Sequence, residues 1–205
     1  SFPFFWTGLL WTIYFKIDTI MLSAYKGDYT VGQYNVAFTL FSIVNLVPAT
    51  ITSILFPKFA ALYQESKKNF WNVVNKSLRY LFFIALVMVF LSYFGSGIAI
   101  PLVYGSQYID SIAIFKILIF ASVFLFMSQL LSTTLSAVNK QNIVAYITLI
   151  GTATNIGMNA LFIPRYSSIG ASYATLITEL IVFTLFFSYI NATRSKERNN
   201  EETAC

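Results

Sequence analysis

Six apolar stretches follow one another along the chain, joined by short polar segments. They cover residues 2–24, 31–56, 77–101, 112–137, 142–164 and 168–190. Each is long enough to carry a helix across a bilayer, which takes about 20 mostly apolar residues. Inside hydrocarbon every backbone N–H and C=O needs a partner, so a spanning structure is either helical or a closed barrel. A barrel would alternate apolar and polar residues in segments of about 10 residues, and no such alternation occurs. The pattern predicts an all-α polytopic membrane protein. Residues 1–190 form a bundle of six transmembrane helices, and the polar, mixed-charge segment 191–205 is a disordered cytoplasmic tail.

Composition changes the reading of the charge. The chain is 57% hydrophobic and only 10% charged, with a net charge of +5. The basic residues lie beside apolar stretches rather than on a soluble face, so nucleic acid is not an expected partner and membrane lipids are. They also fall in alternate joints. Residues 57–76 carry Lys58, Lys67, Lys68 and Lys76, the fourth joint carries Lys140, and the tail carries Arg194, Lys196 and Arg198. Lys26 and Arg165 are sparse company on the other side. Cytoplasmic joints hold the Lys/Arg excess, so joints two and four and the C-terminus face the cytoplasm of a cell that carries the chain in its cytoplasmic membrane. In joint two, Phe59, Leu62, Tyr63, Phe70, Val73 and Val74 recur at roughly helical spacing, which fits an interfacial helix or a solvated loop with a few aromatics.

The candidate chemistry is sparse. There is no histidine, and the single cysteine is Cys205. The commonest general base and metal ligand is therefore missing, and no metal, cofactor or catalytic residue is expected. Four charges interrupt the spans: Lys16, Asp18, Lys116 and Glu179. Each costs about 2.5–3.5 kcal/mol at mid-bilayer, so such residues face a bundle interior or a wet pathway. Lys116 is near enough to an interface to snorkel. Lys16 and Asp18 are two apart and point to different sides of a helix. Glu179 is deepest, either as a protonated side chain hydrogen-bonded to a neighbouring helix or as an exchanger of H+ or Na+. Gln129 of span four, and Asn155 and Asn159 of span five, lie on small and polar stripes. Those stripes serve helix packing or the wall of a water-filled cavity. Asn45 and Pro48 interrupt span two as a hinge or a fixed bend, whereas Pro57, Pro101 and Pro164 fall at span ends.

Several segments resemble one family. The run Lys16-Ile17-Asp18-Thr19-Ile20-Met21-Leu22 and the later Val31-Gly32-Gln33-Tyr34-Asn35-Val36-Ala37 are similar to the opening of a half in the polysaccharide (O-antigen-type) flippases. These belong to the multidrug/oligosaccharidyl-lipid/polysaccharide exporter superfamily. Tyr104-Gly105-Ser106-Gln107-Tyr108 resembles a joint of that family, with Val103 departing from its usual aromatic or Leu. Asn159 to Pro164, Tyr166, Gly170-Ala171, Ala174-Thr175 and Glu179 resemble its ending. The resemblance covers most of the chain and implies the C-terminal half of a twelve-helix transporter. The start at Ser1, with a span beginning almost at once, also reads as a cut in a longer chain. The missing N-terminal half is then a partner, and the two halves are parallel repeats.

The implied substrate is a lipid-linked oligosaccharide, its pyrophosphate attracted by Lys16. Asp18 and Glu179 are the implied sites for a coupling H+ or Na+. A cation-coupled multidrug exporter of the same superfamily is the alternative. From another class, the alternatives are a membrane glycosyl- or acyltransferase and a non-transporting scaffold.

Overall fold

A computed structural model describes residues 16–203, with side chains placed through Lys196. The described residues are helical apart from short joints. Residues 16–26 form α1, followed by α2 (Asp28–Val44), α3 (Leu46–Glu65), α4 (Lys67–Tyr104), a 3-10 turn at Ser106–Tyr108, α5 (Ser111–Ala137) and α6 (Gln141–Thr203). The first expected span lies mostly outside the described residues. Among the described residues four stretches are long and apolar enough to cross a membrane: Asp28–Glu65, Lys67–Tyr104, Ser111–Ala137 and Gln141–Lys196. The last is broken at Ser167, whose φ of 56° and ψ of −138° are not helical. It therefore has two arms, before and after that residue. The arms approach closely: a Cβ on Gly170 would lie 2.5 Å from the carbonyl oxygen of Phe162, so only glycine admits this backbone contact.

The helices outrun the expected spans. Joint two is neither a loop nor a separate surface helix: α3 runs to Glu65 and α4 starts at Lys67. Between them Ser66 is extended, and its hydroxyl accepts from the Asn69 N–H, capping α4. The two helix ends are held by aromatic contacts, with the Phe70 ring 5.9 Å from Phe59, 5.1 Å from Tyr63 and 4.9 Å from Trp71. At 38 residues, α4 is about 57 Å long, well beyond the hydrocarbon thickness. Pro57, Pro101 and Pro164 consequently sit inside helices rather than at their ends. Each removes one backbone rung while its neighbours continue. The tail also departs from the expected disorder, since α6 continues to Thr203. Its first residues are tied back: Lys140 donates to Thr193, and Arg194 reaches Asn75 and the Trp71 ring.

Helix α5 is the hub, packing against α2, α3, α4 and α6. Its buried face runs from Ser111 and Ile114 through Leu118, Ala121, Leu125 and Leu130 to Leu135. Its C-terminus turns through Asn139 at φ 61°, and Lys140 N–H donates to Leu135 O, a closure that favours Asn or Gly. By contrast, α4 presents Phe83, Phe90, Phe94, Ile98 and Leu102 outward. A continuous apolar exterior of this size suits a helix bathed in lipid.

Candidate functional site

Asp18 is 2% exposed, and its carboxylate is gathered in by three other segments. Tyr34 of α2 donates to Oδ2 at 2.6 Å, and Thr175, on the second arm of α6, donates to Oδ2 at 3.0 Å. Asn159, on the first arm, donates to Oδ1 and also to Asn155 Oδ1. The i, i+4 spacing of Asn155 and Asn159 stacks their amides on one face, and both are buried. A carboxylate has acceptors only, so three convergent donors suit it. The clasp joins α1, α2 and both arms of α6 through one side chain. Charge-assisted bonds of this kind are stronger than neutral ones.

Lys16 points elsewhere. It is exposed and lines a groove of about 450 Å³ with Phe38, Phe41, Ser42, Asn45, Ala49 and Gln129. This groove brings together three of the expected site residues, Lys16, Asn45 and Gln129. Ser42 in its wall is exposed, as are Asn35, Thr39, Thr50 and Ser53 elsewhere on α2 and α3. Four of these are hydroxyl residues that donate to carbonyls of their own helices and so turn acceptor lone pairs outward.

The interruption of span two lies in this groove. Helix α2 ends at Val44 and α3 begins at Leu46. Asn45 closes α2 by donating from both its backbone and its side chain to Phe41 O. Pro48 is buried in the first turn of α3, where its missing N–H costs little.

Glu179 lies apart from the Asp18 clasp and is not among its donors or acceptors. It is 3% exposed and borders a small chamber with Ser128, Gln129, Ser132 and Thr148. Gln129 thus faces both the groove and this chamber. Lys116 is half-buried with its ammonium 4.7 Å from the Tyr93 ring centroid. A further polar tie binds α2 to the start of α5. Gln33 accepts from the Ser111 N–H and hydroxyl, and donates to Gln107 O at 2.7 Å.

The sequence profile of a family described as "Polysaccharide biosynthesis protein" matches residues 1–113. That is more than half of the chain. The chain belongs to this family. It is 27% identical over 190 residues to "Capsular polysaccharide biosynthesis protein CapF" of Staphylococcus aureus, covering 92% of this chain and 48% of the relative. It is 24% identical over 172 residues to "Putative O-antigen transporter" of Shigella flexneri, covering 82% and 40%. Against "Probable low-salt glycan biosynthesis flippase Agl15" of Haloferax volcanii the identity is 23% over 185 residues, covering 87% and 38%. The chain spans about half or less of the length of these relatives. No solved structure gives a significant match.

Within the matched segment lie Lys16, Asp18, Tyr34 and Asn45; Gln129, Asn155, Asn159, Thr175 and Glu179 lie beyond it. Sequence reasoning found Asp18, Asn155 and Asn159 but missed their partners Tyr34 and Thr175. Tyr34 is one of 13 tyrosines, and nothing local marks its hydroxyl. Thr175 stands four residues before Glu179, so the same helix face that drew attention to the acid carries it.

Proposed function

We propose that this chain is one half of a flippase that carries lipid-linked oligosaccharide or polysaccharide repeat units across the cytoplasmic membrane, for cell-surface polysaccharide biosynthesis. Two of the relatives bear the names of a transporter and a flippase. One structural observation supports the reading for this chain: the groove that brings Lys16 together with Ser42, Asn45 and Gln129 beside Phe38. A sugar-phosphate headgroup does not cross hydrocarbon unaided. A groove of this lining offers a cation to the phosphate, the Ser42 hydroxyl and the Asn45 and Gln129 amides to the sugar, and the half-buried Phe38 to the lipid end. The chain breaks no bond of its substrate and acts as a transporter rather than an enzyme.

In this reading the six expected spans form the C-terminal half, with joints two and four and the C-terminus cytoplasmic. The N-terminal half closes the groove from the other side. Asn45 and Pro48 mark a hinge between α2 and α3. Asp18 is the site for a coupling H+ or Na+. A cation at Asp18 displaces at least one of its donors, so ion exchange there loosens α1, α2 and both arms of α6 together.

The test is a charge series at Lys16 in the full-length protein, read as surface glycan in cells. Lys16→Arg keeps export, Lys16→Gln lowers it about tenfold, the scale of one lost charge-assisted bond, and Lys16→Glu abolishes it. Normal surface glycan with Lys16→Glu, at normal protein level, contradicts the assignment of the groove.

A further inference from the structure

Three joints of the chain meet at the end of α4 far from the Lys67-Lys68 turn. They are the start of α2, the segment between α4 and α5, and the turn of α6 at Ser167. Each is tied down. Tyr29 donates to Asp110 Oδ2 at 3.2 Å, Gln33 holds Gln107 and Ser111, and Lys26 donates to the Pro164 carbonyl at 2.8 Å. Between the joints lies an open cavity of about 440 Å³, within the roughly 300–1,000 Å³ of small-molecule sites. Tyr29, Thr30, Asp110, Ser167 and Ser168 line it beside Gln33 and aliphatic side chains. It shares no lining residue with the Lys16 groove.

Its polar groups are placed for use outside the fold. Asp110 precedes α5 but makes no capping bond; the Ser111 N–H goes to Gln33 instead. The Asp110 carboxylate is exposed and keeps Oδ1 open. Among the described residues, the hydroxyls of Thr30, Ser167 and Ser168 have no hydrogen-bond partner. Ser167 holds φ 56°, where glycine costs less, so its hydroxyl is present at a backbone cost. The Tyr29 ring is 69% exposed beside the carboxylate.

We propose that this cavity binds a neutral sugar ring, with Tyr29 against its C–H face and Asp110 accepting from its hydroxyls. A pyranose has an apolar face and a rim of hydroxyls that both donate and accept. The aromatic ring and the aliphatic lining suit the face. A carboxylate, which only accepts, and three hydroxyls, which do both, suit the rim. A phosphate or a sugar acid brings like charge against Asp110, so the cavity selects against the group that Lys16 attracts. The site stands whichever solute the Lys16 groove carries. On the flippase reading the ring is a neutral unit of the carried glycan.

The test is saturation-transfer NMR on the full-length protein in lipid nanodiscs, which avoids detergents with sugar headgroups. The probes are methyl glucoside, methyl galactoside and N-acetylglucosamine, with glucuronic acid as the charged counterpart. Wild type transfers saturation to at least one neutral sugar and far less to glucuronic acid. Tyr29 and Asp110 are exposed, so their variants fold. Asp110→Asn weakens the neutral sugar about tenfold, the scale of a lost bond to a charged group, and narrows the gap to glucuronic acid. Tyr29→Leu weakens it severalfold. A polyprenyl-pyrophosphate oligosaccharide in the same nanodiscs displaces the probe where the ring belongs to the carried glycan; an undiminished signal assigns the site to free sugar. No transfer to any neutral sugar overturns the site, as does equal binding in wild type and Asp110→Asn. The readout has no transport step, so a failed flippase reading does not change it.

Discussion

Asn159 donates its amide to Asp18, 141 positions earlier in the chain. The bond closes the bundle around a buried carboxylate that also receives Tyr34 and Thr175. Replacing Asp18 by Asn keeps the size, but it swaps one acceptor oxygen for a donor that faces other donors. Asp18→Asn is expected to lose about 2–4 kcal/mol of stability, as when one member of a buried charged network is removed. Tyr34→Phe, which removes a single donor, loses about 1–3 kcal/mol. Denaturation midpoints in detergent measure both. An Asp18→Asn protein as stable as wild type rules out the clasp.

Gly170 offers a sharper test of the packing at the break in α6. An added Cβ meets the Phe162 carbonyl oxygen at 2.5 Å and its carbon at 2.7 Å. These are backbone atoms, so the arms have to part. Gly170→Ala is expected to destabilise by about 1–3 kcal/mol, although alanine is ordinarily the better helix former. The same denaturation assay reads it, and a neutral or stabilising result shows that the arms do not approach in this way.

Much of this was legible in the sequence, for identifiable reasons. Helix and membrane class follow from run length and composition, which need no long-range information. Asp18 and Glu179 stood out because a charge in an apolar run is costly wherever the run folds. Asn155 and Asn159 stood out because an i, i+4 pair is local. The helical joint between α3 and α4 was harder. Its aromatic contacts join Phe59 to Phe70 across a turn, although Ser66 before Lys67-Lys68-Asn69 was a readable cap. Tyr34, Thr175 and the Gln33–Ser111 tie depend on partners 16 to 157 positions away, and no local period encodes those pairings. The separation of Lys16 from Asp18 followed from their spacing of two, but not the groove that one enters or the clasp that the other holds.

The proposed orientation rests on the Lys/Arg asymmetry. With Cys205 replaced by Ser, single cysteines at Gln64 and Gln141 are expected to react with a membrane-impermeant thiol reagent only after permeabilisation. A cysteine at Gln107, in the joint between α4 and α5, is expected to react in intact cells. The reverse pattern overturns the topology.

We propose that the Lys16 groove carries an anionic lipid-linked glycan. The most direct measurement is translocation of a labelled polyprenyl-pyrophosphate oligosaccharide in proteoliposomes containing the full-length protein, scored by access of an external glycosidase to the label. Transfer well above protein-free vesicles is expected, retained in Lys16→Arg and reduced about tenfold in Lys16→Gln. Transfer no faster than in protein-free vesicles, or equal in wild type and Lys16→Gln, contradicts it.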